Sequence, residues 1–285
     1  MKILVTGASG NIGRKIVDHL IAAGADDIRA LANHPERADL PPEVEVVRGY
    51  LGRVSSLPAA FEGVDRMYLA PYLPTAAEVV EIARAAGIGR IVDLSGDESN
   101  HWWPIAEAVQ NSGLDWTHLF AGEFMENSTQ WADQIRATGE VREPYPDSGN
   151  TPIAMDDIAR VAATVLLQDG HSHASYTLTG PETITRATQL HHLAQALGRH
   201  LTFVTIPHDE AIAQLAPHMG DFATWYVDGG PTHDGRPSPA THHHGPRPHR
   251  PSGHHFRPMG NRQRQPIPLS PRGVQLPTFG HHSSP

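Results

Sequence analysis

Cysteine is absent from the 285-residue chain, and lysine is rare, with Lys2 and Lys15 as its two occurrences. A chain without cysteine forms no disulfide, carries no thiolate nucleophile and offers no zinc site of the cysteine type. The same absence is consistent with a reducing compartment. With so few lysines, a catalytic side chain that depends on a neighbouring lysine ammonium could be served only by Lys2 or Lys15.

Long apolar runs are missing as well. No stretch reaches the roughly 20 apolar residues that a membrane-spanning helix requires. The first residues also lack the basic segment, apolar run and cleavage site of a secretory signal. We therefore expect a cytoplasmic protein without membrane contact. Its 39% of hydrophobic residues suffice for one sizeable core.

The net charge of −9 is unevenly distributed, because residues 229–285 contain seven Arg and one Asp. The rest of the chain is therefore strongly acidic, which argues against nucleic-acid binding by the core. In 229–285 Pro, His, Gly and Arg dominate without apolar periodicity, which predicts a disordered low-complexity tail or an out-of-frame extension. Its histidines follow no defined ligand spacing, so we predict no metal site.

The segment 1–14 is the most informative part of the sequence. A strand-like run, Ile3 to Val5, leads into a glycine-rich turn followed by an apolar stripe at helical spacing. In such turns glycines permit the tight bend, the approach of a pyrophosphate and close helix packing. Glycines also join strands to helices for steric reasons alone, but this context favours a dinucleotide site. The predicted contacts are Gly7, Ser9, Gly10, Asn11, Ile12 and Gly13.

Short β-branched runs alternate with amphipathic segments up to about residue 119, the pattern of βαβ units. Predicted strands are Lys2–Val5, Ile28–Leu31, Glu45–Val47, Arg66–Leu69, Arg90–Leu94 and Trp116–Leu119. We predict an α/β protein with a doubly wound parallel sheet, a Rossmann core, over 1–122. A small helix-rich substrate lobe over 123–228, interleaved with the core, is expected to contain isolated strands at Ser175–Leu178 and Thr202–Ile206.

Several segments together resemble the NmrA-like branch of the atypical short-chain dehydrogenase/reductases. They are VTGASGNIG (5–13), IRALANHPERA (28–38), VEVVRGYLG (44–52), FEGVDRMYLA (61–70), AAGIGRIVDLS (85–95), SGLDWTHLFAGEFMEN (112–127) and YTLTGPETIT (176–185). The resemblance covers about 1–210. It implies a Rossmann domain that binds NAD(P), beside a cleft for a substrate or regulator.

Departures from the family pattern bear on the cofactor. Asn33 lies where relatives often have an arginine, and no carboxylate is present to repel a 2′-phosphate. With Arg37 nearby, this favours NADP weakly over NAD, although Asn33 could instead cap the turn before Pro35. Tyr50 replaces an aspartate of the relatives and could stack on the adenine or pack at a strand edge. The resemblance also assigns cofactor contacts to Ala70, Pro71 and Ser95.

The catalytic residues differ most from the pattern. Standard reductases of the superfamily pair a tyrosine with a lysine four residues later, and this chain has no such pair. Ser95 matches the superfamily's polarising serine, or it is a turn former. His101 is a candidate for proton transfer, or it is a solvated loop histidine.

The predicted substrate pocket follows the sixth strand, where relatives read Arg-Pro-Gly and this chain reads Phe120-Ala121-Gly122. Its predicted residues are Tyr72, Gly122, Phe124 and Asn127. Aromatic lining favours a planar or apolar ligand. We therefore expect an NAD(P)-dependent oxidoreductase that transfers hydride to a small planar acceptor such as a quinone. The alternatives are an NAD(P)-sensing regulatory protein with a protein partner and an enzyme of the epimerase or dehydratase type.

Overall fold

The fold comes from a computed structural model that describes residues 1–220, 223, 224 and 227. All of these belong to one compact unit within Met1–His242. The predicted tail at 229–285 lies outside the described residues.

The strands of the described part form one large sheet and two small ones. They are β1 (Ile3–Val5), β2 (Ile28–Ala32), β3 (Glu45–Arg48), β4 (Arg66–Leu69), β5 (Arg90–Ser95), β6 (Asp115–Ala121), β7 (Glu140–Glu143), β8 (Gly149–Asn150), β9 (Ala174–Leu178), β10 (Ile184–Thr185) and β11 (Thr202–Thr205). The large sheet has seven strands in the order β3-β2-β1-β4-β5-β6-β9. Each neighbouring pair in it runs parallel.

The helices of the described residues cover both faces of the large sheet and also pack beside it. They are α1 (Asn11–Ala22), α2 (Pro58–Phe61), α3 (Ala76–Ala85), α4 (Trp103–Gln110), α5 (Ala132–Thr138), α6 (Met155–Leu167), α7 (Arg186–Leu197) and α8 (His208–Met219). Helices α1 and α6 pack on one face in a cluster with Val5 and Val92. Helices α3 and α4 pack on the other face with Leu4 and Ile91. Because β1 and β4 are buried on both faces, apolar residues predominate in them.

The predicted doubly wound sheet is confirmed. All six strands predicted up to residue 119 are present, and the chain winds outward from β1 first to β3 and then to β6. The winding direction reverses between β1 and β4. In open parallel sheets such a switch point creates a crevice outside the carboxyl ends of the strands.

The expectation of an isolated strand at 175–178 is wrong. Strand β9 pairs in parallel with β6, with Leu119 opposite Tyr176, and extends the large sheet. It does so because β6 leaves one edge unpaired, and a parallel strand can reach that edge after a long crossover that includes α6. The domain boundaries at residues 122 and 228 stay predictions.

Further elements pack beside the sheet. Strands β7 and β11 pair in parallel, and β8 and β10 pair antiparallel. Helices α5 and α7 enclose a small apolar cluster that includes Trp131, Val141 and Leu190. Helix α7 begins after Thr185, the N-cap, whose side chain accepts a 3.1 Å hydrogen bond from the Thr188 amide. Over the described residues, every helix is too short or too polar to cross a bilayer.

Candidate functional site

The residues predicted to form the site follow the carboxyl ends of different strands. They are Gly7, Ser9, Gly10, Asn11, Ile12 and Gly13 after β1, Asn33 and Arg37 after β2, Tyr50 after β3, Ala70, Pro71 and Tyr72 after β4, Ser95 and His101 at and after β5, and Gly122, Phe124 and Asn127 after β6. Because these strands are parallel, their carboxyl ends lie along one edge of the sheet. That edge includes the switch point between β1 and β4, where such folds bind ligands.

The turn between β1 and α1 is too tight for side chains at its glycines. Gly7 has a φ of +61°. A Cβ on Gly13 would lie 2.2 Å from the carbonyl oxygen of Gly7, and one on Gly10 would lie 3.2 Å from the same atom. The amide of Gly10 donates a 2.9 Å hydrogen bond to this oxygen, which closes the turn. The glycines therefore leave the main chain at the start of α1 uncovered by their own side chains.

Helix α1 begins without a side-chain cap and has no acidic residue in its first turn. The first amide groups of a helix have no acceptor within the helix. With the helix dipole, which is worth ~0.3–1 kcal/mol per favourable charge, they attract an anion. The backbone at Asn11 to Gly13 thus fits a diphosphate, and no carboxylate of that first turn opposes it.

Thr6 joins this turn to β4. Its buried hydroxyl donates to the Tyr68 carbonyl at 3.0 Å and accepts from the Ala70 amide at 2.8 Å. A Cβ on Gly7 would lie 2.9 Å from the Ala70 Cβ, so the end of β4 lies directly against the turn. Thr6 is not among the predicted site residues, although a threonine that ends a buried apolar strand is a recognisable signal.

Basic groups gather beyond β2. Arg48 donates to the Asn33 carbonyl at 3.3 Å and to the Glu36 carboxylate at 3.2 Å. The Arg37 amide donates to the His34 carbonyl at 3.0 Å, whereas its exposed guanidinium has no hydrogen bond or ion pair within the described residues. The 3-10 turn Pro35–Arg37 is preceded by His34 and has no side-chain cap, which disagrees with a capping role for Asn33.

Tyr50 and Tyr72 form an aromatic pair at the carboxyl edge. Their ring centroids are 5.5 Å apart at an angle of 63°, and Tyr50 is 41% exposed. Tyr50 is therefore not packed into the sheet edge. The hydrogen bond between the two hydroxyls raises the pKa of Tyr72. Both rings lie close to Gly52, where a Cβ would be 2.6 Å from each.

Ser95 ends β5 in a buried polar group. Its hydroxyl donates to Oδ1 of the Asp93 carboxylate, and Oδ2 lies 2.6 Å from Nδ1 of His118. Asp93 and His118 face each other in register on β5 and β6, and they are 0% and 1% exposed. Ser95 is among the predicted site residues, but its partners Asp93 and His118 are not. Polar residues at alternate positions of a buried strand are the signal that identifies Asp93.

Aromatic rings fix the His118 imidazole. Trp116 stacks on it with ring centroids 4.1 Å apart, and Phe120 lies nearly parallel to it at 5.7 Å. Phe120 stands where the resemblance to the family implies an arginine. On β4, burial and then the Asp93 charge raise the pKa of Tyr68, so its phenol keeps its proton.

His101 lies apart from this group. It is exposed in the loop before α4, with its ring edge-on to Trp102 at 5.3 Å. No hydrogen bond joins it to Ser95 in the described part of the chain. Within the same part, no three His, Asp or Glu side chains gather as a metal ion would require.

The loop after β6 is held by main-chain hydrogen bonds. The amide of Gly122 donates to the Leu178 carbonyl at 3.2 Å, and that of Ile153 donates to the Glu123 carbonyl at 2.8 Å. Phe124 packs against the main core cluster, and its carbonyl accepts from the Asn127 amide at 3.0 Å. These contacts place the predicted substrate residues on a supported segment.

A glycine turn at the switch point of a doubly wound parallel sheet, opening onto an uncapped helix, defines an NAD(P)-binding Rossmann protein. A family model described as NAD(P)H-binding matches residues 7–169, and the chain belongs to this family. The predicted resemblance to NmrA-like atypical short-chain dehydrogenase/reductases is confirmed. The protein belongs with the Rossmann-type oxidoreductases.

Two curated relatives are reductases by name. The (4-alkanoyl-5-oxo-2,5-dihydrofuran-3-yl)methyl phosphate reductase of Streptomyces griseus is 37% identical over 229 residues, which cover 75% of this chain and 80% of the relative. The NAD(P)H azoreductase of Xenophilus azovorans is 31% identical over 225 residues, which cover 73% and 78%.

Solved structures share the fold. The NADPH-dependent quinone oxidoreductase of Escherichia coli, complexed with NADPH, superposes with a TM-score of 0.72 at 22% identity, covering 80% of this chain and 87% of that one. The Citrobacter sp. triphenylmethane reductase complexed with NADP(H) gives 0.71 at 22% identity, with the same coverage. At this identity the likeness concerns the fold alone.

Proposed function

We propose that this protein is a cytoplasmic NADPH-dependent reductase that transfers hydride to a small planar conjugated acceptor such as a quinone. The observation that carries the proposal is the bare glycine turn on the same sheet edge as the Ser95 hydroxyl. The names of the relatives support a reductase. They also support a small-molecule substrate, since azo compounds and a dihydrofuranone phosphate are small molecules.

Each part of this edge has a distinct task in the proposal. The amides of Asn11 to Gly13 bind the diphosphate and fix the position of the dinucleotide. Bound NADPH supplies the hydride from its nicotinamide ring. The segment Gly122–Phe124 borders the acceptor and excludes water. Ser95 holds a proton at its Oγ for the acceptor oxygen that becomes negative.

The available acids favour a conjugated acceptor over a simple ketone. Lys2 lies at the opposite edge of the sheet, where its ammonium is 2.9 Å from both Asp27 and Glu45. Lys15 lies on α1, and Tyr68 is buried, so neither completes a tyrosine–lysine pair. Conjugated acceptors spread the incoming charge and need less proton assistance than ketones.

A panel of acceptors tests this function. We expect the purified protein to oxidise NADPH when a naphthoquinone is added, with a rate proportional to protein concentration, because hydride transfer to a quinone needs little acid assistance. NADPH consumption is followed by absorbance, and heat-denatured protein is the control. Tight NADPH binding without turnover on quinones, azo dyes and unsaturated lactones would refute the reductase.

That outcome would instead support an NAD(P)-sensing regulatory protein. The specific observation in its favour is Phe120, which stacks on His118 where relatives carry an arginine. A sensor requires a partner whose affinity differs between the two cofactor states. Partner capture with and without NADPH would then give different profiles.

The preference for NADP is also part of the proposal. Asn33 ends the β2 segment without a carboxylate, and Arg37 and Arg48 supply positive charge beside it. An acid at this place would bond the ribose hydroxyls and repel a 2′-phosphate. The exposed guanidinium of Arg37 is available for that phosphate.

Arg37→Ala is expected to weaken NADPH binding about tenfold while leaving NADH binding unchanged. A charge-assisted hydrogen bond to phosphate is worth ~1.5–3 kcal/mol, and NADH lacks that phosphate. Calorimetric titration with both nucleotides measures the ratio. Arg84→Ala is the matched control, because Arg84 is exposed and paired with Glu81 at the end of α3. Equal effects on NADH and NADPH would contradict the assignment.

A further inference from the structure

Asp93 and His118 are two ionisable residues inside the large sheet. Most other fully buried residues of this sheet are apolar. Asp93 and His118 are 0% and 1% exposed, and they bond to each other at 2.6 Å. Burying a carboxyl and an imidazole costs free energy that an apolar pair would not. Neither residue belongs to the glycine turn after β1. Within the described residues, their hydrogen-bonded link to the carboxyl edge is the Ser95 hydroxyl.

The His118 ring is held in one orientation. Trp116 and Phe120 flank it, Nδ1 faces Asp93, and Nε2 has no hydrogen-bond partner in the described part of the chain. The tautomer with its N–H at Nδ1 donates to Oδ2 of Asp93 and leaves no hydrogen on the unpartnered Nε2. The carboxyl group in turn meets Ser95 through Oδ1. The three side chains form one directed chain from the interior to the edge.

Proton accounting makes this chain relevant to reduction. A serine hydroxyl has a single hydrogen, and in the Ser95–Asp93 hydrogen bond the donor is either Oγ or a protonated Oδ1. Ser95 can donate to an acceptor molecule only when Asp93 carries a proton on Oδ1 and donates to Oγ instead. The state of Asp93 thus decides whether Ser95 presents a donor to the cleft.

We propose that Asp93 is a buried proton store that reloads Ser95 during each reduction, and that His118 stabilises the Asp93 carboxylate formed. This inference rests on the proposed reductase function. The acceptor is reduced by hydride from NADPH, which is oxidised, and takes a proton from Ser95 as the Oγ–H bond breaks. The Oδ1–H bond of Asp93 breaks as a new Oγ–H bond forms. A proton from water restores Asp93 after product release.

In this scheme Ser95 is the catalytic residue, and Asp93 and His118 are positioning and proton-supplying residues that act through it. After the transfer, Ser95 donates to a carboxylate that also accepts from Nδ1 of His118. That arrangement has the same partners as the one seen in the structure. His118→Asn preserves an N–H near Oδ2, whereas His118→Phe removes it and keeps the aromatic stack.

A double-mutant cycle on naphthoquinone reduction tests the inference. Asp93→Asn and Ser95→Ala are each expected to lower kcat about tenfold, less than the ~10²–10⁴ typical of general acids, because the acceptor is conjugated. The double variant should lose no more than either single one, since both act on one proton. His118→Phe should also lose about tenfold, and His118→Asn should restore most of the rate. The NADPH affinity of the Asp93 and His118 variants, measured by calorimetry, should not change.

Infrared spectroscopy provides a readout without turnover. The resting wild-type protein should show a protonated carboxyl band that Asp93→Asn removes and Asp133→Asn, at an exposed carboxylate, does not. A missing band would overturn the inference. Full kcat in folded Asp93→Asn, or losses that multiply in the double variant, would also overturn it. Absence of wild-type quinone turnover would refute the proposed function instead, and the infrared band would still decide whether Asp93 stores a proton.

Discussion

Gly13→Ala is expected to lower the affinity for NADPH by about a hundredfold or more, equivalent to two charge-assisted hydrogen bonds of ~1.5 kcal/mol each. The added Cβ would lie 2.2 Å from the Gly7 carbonyl oxygen and 2.9 Å from the Ala8 Cα. Both are backbone atoms, which cannot move aside without opening the turn. The amides at the start of α1 would then no longer converge on the diphosphate. Fluorescence or calorimetric titration with NADPH measures the loss.

Two other glycines provide a graded comparison. A Cβ on Gly10 would meet the Gly7 oxygen at 3.2 Å, so Gly10→Ala is expected to have an intermediate effect. Gly89 is exposed at the other edge of the sheet, and a Cβ there would lie 3.4 Å from the Asp65 oxygen. Gly89→Ala should therefore bind NADPH normally. If Gly13→Ala has the circular dichroism spectrum of the wild type and binds NADPH with unchanged affinity, the glycine turn is not the diphosphate site.

Arg186→Met is expected to lower the free energy of unfolding by about 3–5 kcal/mol, the usual result of removing one partner from a buried ion pair. Arg186 begins α7, is 7% exposed and lies 3.6 Å from Glu123 and 3.4 Å from Glu143. Glu143 also accepts a 2.7 Å hydrogen bond from the Trp131 indole. Without the guanidinium, two buried carboxylates remain without their counter-charge. Chemical denaturation measures the change.

The loss should depend on pH in a defined direction. Burial raises the pKa of Glu143, and the Arg186 charge opposes that rise. Removing Arg186 raises the folded-state pKa further above the unfolded value. A group with a raised folded pKa stabilises the fold below its unfolded pKa and loses this contribution as pH rises through the folded pKa. Arg186→Met should therefore be less destabilised at acidic than at neutral pH.

An exposed pair serves as the control for this prediction. Arg136 bonds to Asp133 at 2.8 Å on the surface of α5, with 67% and 91% of the side chains exposed. Arg136→Met should change stability by less than ~1 kcal/mol, as exposed ion pairs do. Adding Glu143→Gln to Arg186→Met should recover part of the loss. Equal effects of the Arg186 and Arg136 substitutions would show that the buried charges are not coupled as described.

The Arg186 group also connects function to stability. Glu123 follows Gly122 in the loop that borders the predicted acceptor pocket, and Glu143 ends β7. Arg186 therefore ties the loop after β6 to α7 and β7. In the proposed reductase, a loop held in this way would keep its position when the acceptor binds, which favours hydride transfer.

The sequence by itself determined the features that depend on neighbouring residues. The glycine turn requires Gly7, Gly10 and Gly13 because backbone atoms of the turn lie within a few residues of one another. The strands β1 to β6 follow from local apolar runs, and α3 and α6 follow from apolar periodicity. The doubly wound order of β1 to β6 then follows from general rules for parallel crossovers. The same rules place a crevice at the carboxyl ends of the strands.

Only the tertiary structure decided which distant residues meet. Asp93 and His118 are 25 positions apart and come together through the register of β5 and β6. The addition of β9 to the large sheet and the convergence of Glu123 and Glu143 on Arg186 are of the same kind. Such pairings depend on which sheet edge has no strand beside it and on which charged side chains the packing buries next to one another. Those are properties of the packed molecule, and no window of neighbouring residues contains them.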